Sequence, residues 1–168
     1  EGGDLSSIDG LAYREGEHAI HVSPRTAFVE NLDELPFPAR DLVPLEKYFE
    51  IGRPQSLSCR SRRNTSFMSS RGCTARCIFC SSTKFWGGTL RVRSPENVLR
   101  EMRELKDRYG VEELQFVDDN LTSNKKAARQ IFQFAAGAVQ ARFRGSAQGQ
   151  TVAELKGLPV PGGQMQQI

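Results

Sequence analysis

The sequence predicts an α/β fold built on parallel strands, and two observations carry that prediction. A short apolar segment, a polar loop and a helix-patterned segment follow one another between residues 65 and 109, and the order repeats between 114 and 138. A βαβα run of this kind joins parallel strands through crossover helices. Composition agrees: 38% apolar and 26% charged residues are the mixture of a chain that buries a core, not of a disordered one. No apolar run approaches the roughly 18 residues of a membrane-spanning helix.

The chain opens on Glu1-Gly2-Gly3-Asp4, with neither a basic nor an apolar leader region. This is no export signal, so a reducing cytoplasm is the expected compartment, and the start reads as the middle of a longer reading frame. Residues 1–30 are read as a hairpin: Leu11 to Arg14 leads into Glu15-Gly16-Glu17, and Ala19 to Val22 leads out, with alternation on both sides. Between Asn31 and Phe49, Pro36, Pro38 and Pro44 interrupt the apolar residues. Prolines at that density exclude a long helix, so residues 31–64 are read as an extended connector followed by a mobile, arginine-rich loop.

The core pattern begins at Thr65-Ser66-Phe67-Met68-Ser69-Ser70, a short buried strand that runs directly into Arg71-Gly72 and three cysteines. Ser94-Pro95 is a helix start, with serine at the N-cap and proline in the first turn. Val98, Leu99, Met102 and Leu105 recur at helical spacing, and Tyr109-Gly110 ends the element. Leu114 to Val117 is the second strand, Asp118-Asp119-Asn120 follows it, and Lys125 to about Ala138 is the second helix. Residues 65–138 thus form the predicted core. Residues 139–168 are rich in Gly, Gln and Ala, and only Gln150 to Leu155 offers a short further element. The tail reads as truncated or frame-shifted.

The chemistry concentrates in Cys73-Thr-Ala-Arg-Cys77-Ile-Phe-Cys80, a Cys-x3-Cys-x2-Cys run. Three thiols within eight residues are poorly spaced for a disulfide framework and well spaced for a metal. Three ligands leave one iron of a cubane cluster open, and an open position marks a catalytic metal. The run also follows a strand in a βα unit, the edge where barrel enzymes place their chemistry. Its surroundings are basic: from Ile51 to Arg93 there are nine Lys or Arg and no Asp or Glu.

With Phe79 before the last cysteine, this run resembles the signature of the radical S-adenosylmethionine (radical SAM) superfamily. The resemblance implies a 4Fe–4S cluster held by Cys73, Cys77 and Cys80, with S-adenosylmethionine on the open iron, cleaved to a 5′-deoxyadenosyl radical. It places Phe79 beside the adenine and Asp118, Asp119 and Asn120 near the methionine amine, although the Gly-Gly-Glu form common there is absent. Asn31 to Asp41, Ser70 to Cys73, Phe85-Trp86-Gly87, Arg91 to Val98 and Phe116 to Asn120 resemble the subgroup that carries a cobalamin-binding domain. The similar stretches cover roughly residues 5–135. The implied fold is the opening two βα units of a partial TIM-type barrel, preceded by the exit hairpin of a cobalamin domain that would lie before residue 1. A family barrel needs about six such units of roughly 30 residues. Half a barrel leaves strand edges unpaired, which predicts poor folding and little turnover for this chain alone. Methyl transfer with cobalamin in the intact parent, a small-molecule substrate rather than RNA, and an electron donor such as flavodoxin or ferredoxin complete the expectation.

Plainer readings compete. The triplet could be a zinc site completed by Cys59 or His18, although zinc motifs usually arrive as two cysteine pairs. It could be a closed electron-transfer cluster completed by Cys59, which would make the protein a non-catalytic iron–sulfur protein. The arginines could serve nucleic acid, or offset cluster thiolates and meet solvent. Asp118 and Asp119 could form a turn that caps the second helix. Trp86 could pack on the loop or line a substrate cavity, and His18 and His21 read as surface residues of the hairpin.

Overall fold

A computed structural model of the chain describes residues 4–25, 27–52, 60–138, 141–145 and 151–155. Cys59 and much of the expected tail lie outside the described residues. The chain divides into two compact units, 1–30 and 31–168. In the first, strands β1 (Ala12–Glu15) and β2 (Ala19–Val22) pair antiparallel, with Tyr13 opposite His21. Their rings lie 5.0 Å apart, so His21 is occupied in cross-strand packing, while His18 is exposed beside Glu17.

The second unit is organised on β3 (Asn64–Phe67) and β6 (Glu113–Phe116), which pair in parallel with Phe67 opposite Phe116. The crossover between them carries α3 (Pro95–Tyr109). Ser94 caps it by accepting the Asn97 amide at 3.1 Å, and such a cap is worth about 1 kcal/mol. Gly110, at φ 61°, lets the chain leave the helix in a left-handed turn. Helix α4 (Lys125–Ala138) starts at Asn124, whose side chain accepts the Ala127 amide. Val98, Met102 and Leu105 of α3 meet Ile131 and Ala135 of α4 over the sheet. Phe67, Phe116 and Phe132 interlock edge to face at 5.3 and 6.4 Å, worth about 0.5–1.5 kcal/mol per pair beyond area burial.

Three features differ from the sequence expectation. The first strand stops at Phe67, because the Ser69 amide donates to Asp118 instead of continuing a ladder. Ser70–Arg71 (β4) then pairs antiparallel with Arg91–Val92 (β5), so the intervening loop leaves and returns at one place. Second, the connector contains a helix, α1 (Leu45–Ile51), besides two 3-10 turns. Pro44 stands at its N-cap, where a missing N–H costs nothing, and no proline follows before Gly52. Residues 60–64 of the expected mobile loop are anchored. Arg63 pairs with both carboxylate oxygens of Glu46, donates to the carbonyls of Tyr109 and Gly110, and lies over the Phe49 ring. The ion pair itself is solvent-facing and worth at most about 1 kcal/mol.

Third, the outer edge of β6 is not open. β7 (Arg142–Gly145) and β8 (Thr151–Glu154) form a hairpin, and β8 lies antiparallel along β6 with Ala153 opposite Leu114. Among the described residues the sheet order is β3-β6-β8-β7, with one parallel pair. Ala153 and Leu155 enter the core there. A strand whose inward residue is an alanine carries almost no hydrophobic periodicity, so the sequence marks this stretch, within residues 150–155, only as a short further element. Among the described residues no helix is long and apolar enough to cross a membrane.

Candidate functional site

The ends of β3 and β6 converge through one carboxylate. Asp118, just past β6, accepts the Ser69 amide at 3.0 Å and the Ser69 hydroxyl at 2.9 Å, and also binds the Ser70 hydroxyl. Burial pushes the Asp118 pKa up, and the serine hydrogen bonds only partly oppose this. Asp119 accepts the Gly72 amide at 3.1 Å, and Asn120 directs its amide toward the Cys73 sulfur at 4.0 Å. Successive residues of one strand end thus grip successive points of the segment entering the cysteine loop. Neither aspartate caps α4, since Asn124 does so.

Gly72 fixes the loop's departure. Its φ is +93°, and a Cβ there would lie 2.0 Å from the Thr89 carbonyl oxygen. Only glycine permits that approach between the loop's entry and its return. Beyond it, the Cys80 amide donates to the Cys77 carbonyl at 3.1 Å, and the Thr83 hydroxyl to the Ala75 carbonyl at 3.1 Å. The latter pins the loop to α2 (Ser82–Trp86). Trp86 is half-buried, with the guanidinium carbons of Arg71 and Arg91 5.4 and 5.8 Å from its ring. It packs the loop's base, the first of its two expected roles.

Cys73, Cys77 and Cys80 are free thiols, the first half-buried and the others exposed. Ile78 and Phe79 between them project into solvent, Phe79 with 89% of its surface exposed. Zn–S bonds of about 2.3 Å put tetrahedral thiolates about 3.8 Å apart. Among the described residues no three Cys, His, Asp or Glu side chains are gathered for a single ion. The donor set itself fits an iron–sulfur cluster: three soft thiols on one loop, with no carboxylate between them.

The family model described as the radical SAM superfamily matches residues 67–159, which run from the last residue of β3 through the cysteine loop and β6 to the β7–β8 hairpin. This chain belongs to the radical SAM superfamily. Its relatives include the cytidylyl-2-hydroxyethylphosphonate methyltransferase of Streptomyces wedmorensis, 42% identical over 118 residues, 70% of this chain and 22% of that protein. The anaerobic magnesium-protoporphyrin IX monomethyl ester cyclase of Synechocystis is 31% identical over 122 residues, 73% of this chain and 22% of the cyclase. The hopanoid C-3 methylase of Methylococcus capsulatus is 31% identical over 105 residues, 62% of this chain and 18% of the methylase. The chain thus spans about a fifth of the length of these curated relatives. Within this radical SAM chain, sequence reasoning singled out the cysteines and the Asp118-Asp119-Asn120 run. It missed Ser69 and Ser70 as partners of Asp118, because nothing in spacing links residues nearly fifty positions apart.

Proposed function

We propose that this chain carries the cluster- and S-adenosylmethionine-binding portion of a radical SAM enzyme. Cys73, Cys77 and Cys80 each take one iron of a 4Fe–4S cluster, and S-adenosylmethionine takes the fourth. The observation that carries this reading is a triplet of free thiols on a loop rooted at the carboxyl ends of two parallel strands. When bound, the cluster supplies the electron that cleaves S-adenosylmethionine to a 5′-deoxyadenosyl radical. The protein's task is then to hold and orient. Phe79, exposed beside Cys80, is positioned in sequence to lie against an adenine ring. Asp119 and Asn120 offer polar groups toward the ligand's amine from the loop's base, and Asp118 positions the loop through Ser69 and Ser70.

For the intact protein the proposed reaction class is methyl transfer with cobalamin as carrier, which the methyltransferase and methylase names of its relatives favour. Its substrate is a small molecule, its electrons come from a donor such as flavodoxin or ferredoxin, and its compartment is the cytoplasm. The deciding experiment is anaerobic reconstitution with iron and sulfide, then electron paramagnetic resonance of the dithionite-reduced protein. A 4Fe–4S signal that changes on adding S-adenosylmethionine is the expected result. A signal indifferent to it, and lost in Cys59→Ala, would establish the closed, non-catalytic cluster instead. Zinc uptake without iron uptake would overturn both.

A further inference from the structure

A cavity of about 270 Å³ lies between the proline-rich segment and the end of β3, just below the usual range of small-molecule sites. Leu35, Phe37 and Phe67 are among its apolar walls, and Arg40, Arg71, Arg93 and Glu101 are its charged ones. Glu101 is 2% exposed and sits between two guanidiniums: Arg40 donates to Oε1 at 2.6 Å, and Arg93 lies 2.5 Å from Oε2, out of hydrogen-bonding alignment. Arg93 is fixed further by Asn97 and the Met68 carbonyl. This wall is therefore rigid and carries one positive charge more than its carboxylate offsets.

Arg71 adds a second. Among the described residues its guanidinium stacks on Trp86 and meets no carboxylate. The nearby Asp118 carboxylate does not line the cavity and is spent on Ser69 and Ser70. An apolar chamber with surplus positive charge and guanidinium donors free of a carboxylate is chemically matched by an anion.

From this we infer that the cavity binds a small amphiphilic anion, its carboxylate or phosphonate head paired with Arg71 and its apolar body against Leu35, Phe37 and Phe67. The site is separate from the proposed cluster, since none of the three cysteines lines it. Iron-free protein is therefore the right sample. Failure here leaves the cluster proposal intact, and failure of reconstitution leaves this one intact.

The test is calorimetric titration of the iron-free chain with pentylphosphonate, hexanoate and, as neutral control, hexanol. Binding of at least one anion, with hexanol bound at least tenfold more weakly, is expected. Phosphonate in preference to hexanoate would identify a phosph(on)ate-bearing ligand, and the reverse a carboxylate. Arg71→Gln should weaken the anion at least tenfold, and Arg71→Lys by less. Leu35→Trp, which fills the chamber and spares the charges, should abolish binding with circular dichroism unchanged. Absence of anion binding, hexanol bound as tightly as the anions, or full affinity in Arg71→Gln or Leu35→Trp would each overturn the inference.

Discussion

The Asp118 carboxylate receives the Ser69 backbone amide at 3.0 Å, which ties the end of one parallel strand to the exit of the other. Removing the acceptor orphans a part-buried amide and two hydroxyls, so Asp118→Ala should cost about 1–3 kcal/mol in urea denaturation. The pH dependence has a definite sign. Burial raises the native pKa above the ordinary carboxylate value, so the folded chain keeps its proton to higher pH than the unfolded chain. Native protein then binds more protons across that window, and this group's contribution to stability falls as pH rises through it. The stability difference between wild type and Asp118→Asn should therefore shrink from about pH 4 upward and then level off. A difference that grows with pH would contradict the assignment.

Gly72→Ala should be among the most damaging single changes. It combines a left-handed backbone with a Cβ 2.0 Å from the Thr89 carbonyl oxygen. Left-handed strain and overpacking each cost about 1–3 kcal/mol, giving about 2–6 kcal/mol together. The cysteine loop would have to part from the residues that return from it. Iron uptake per chain after reconstitution should drop by more than half, a loss that Gly137→Ala, with open space around its Cβ position, should not produce.

How much of this was legible depended on the range of the interaction. The boundaries of α3 follow from Ser94, Pro95 and Gly110, all at or immediately beside the ends they set. The three cysteines declare themselves by spacing alone. The tie from Asp118 to Ser69 links positions 49 apart and leaves no local trace. β8 was legible only as a short element within residues 150–155, because Ala153 gives no amphipathic signal, and α1 escaped because Pro44 reads as a breaker until its N-cap position is known.

Glu101 makes the charged wall of α3 a sensitive point. Its burial between Arg40 and Arg93 means that Glu101→Ala leaves two nearly buried guanidiniums without their anion. Breaking a buried pair from one side costs about 3–5 kcal/mol. The double change Glu101→Leu with Arg40→Met removes charge from both sides and should recover part of that loss. Thermal or urea unfolding of the set checks this, and a double variant less stable than Glu101→Ala would contradict it.

The cysteines provide the sharpest separation between an open and a closed cluster. Cys73→Ser, Cys77→Ser and Cys80→Ser each remove one of three proposed ligands, and each should lower bound iron severalfold with loss of the reduced-state resonance. Cys73 lies at the loop's rooted end, with the Asn120 amide toward its sulfur and the Gly72 amide held by Asp119 immediately before it. Asn120→Ala should therefore alter the spectrum while leaving iron content nearly unchanged, since it removes a neighbour of the sulfur and no ligand. Cys59→Ala should keep both iron and spectrum. Retention in Cys59→Ala together with loss in all three serine variants leaves one iron without a cysteine ligand, which is where S-adenosylmethionine must bind for the radical reaction to begin.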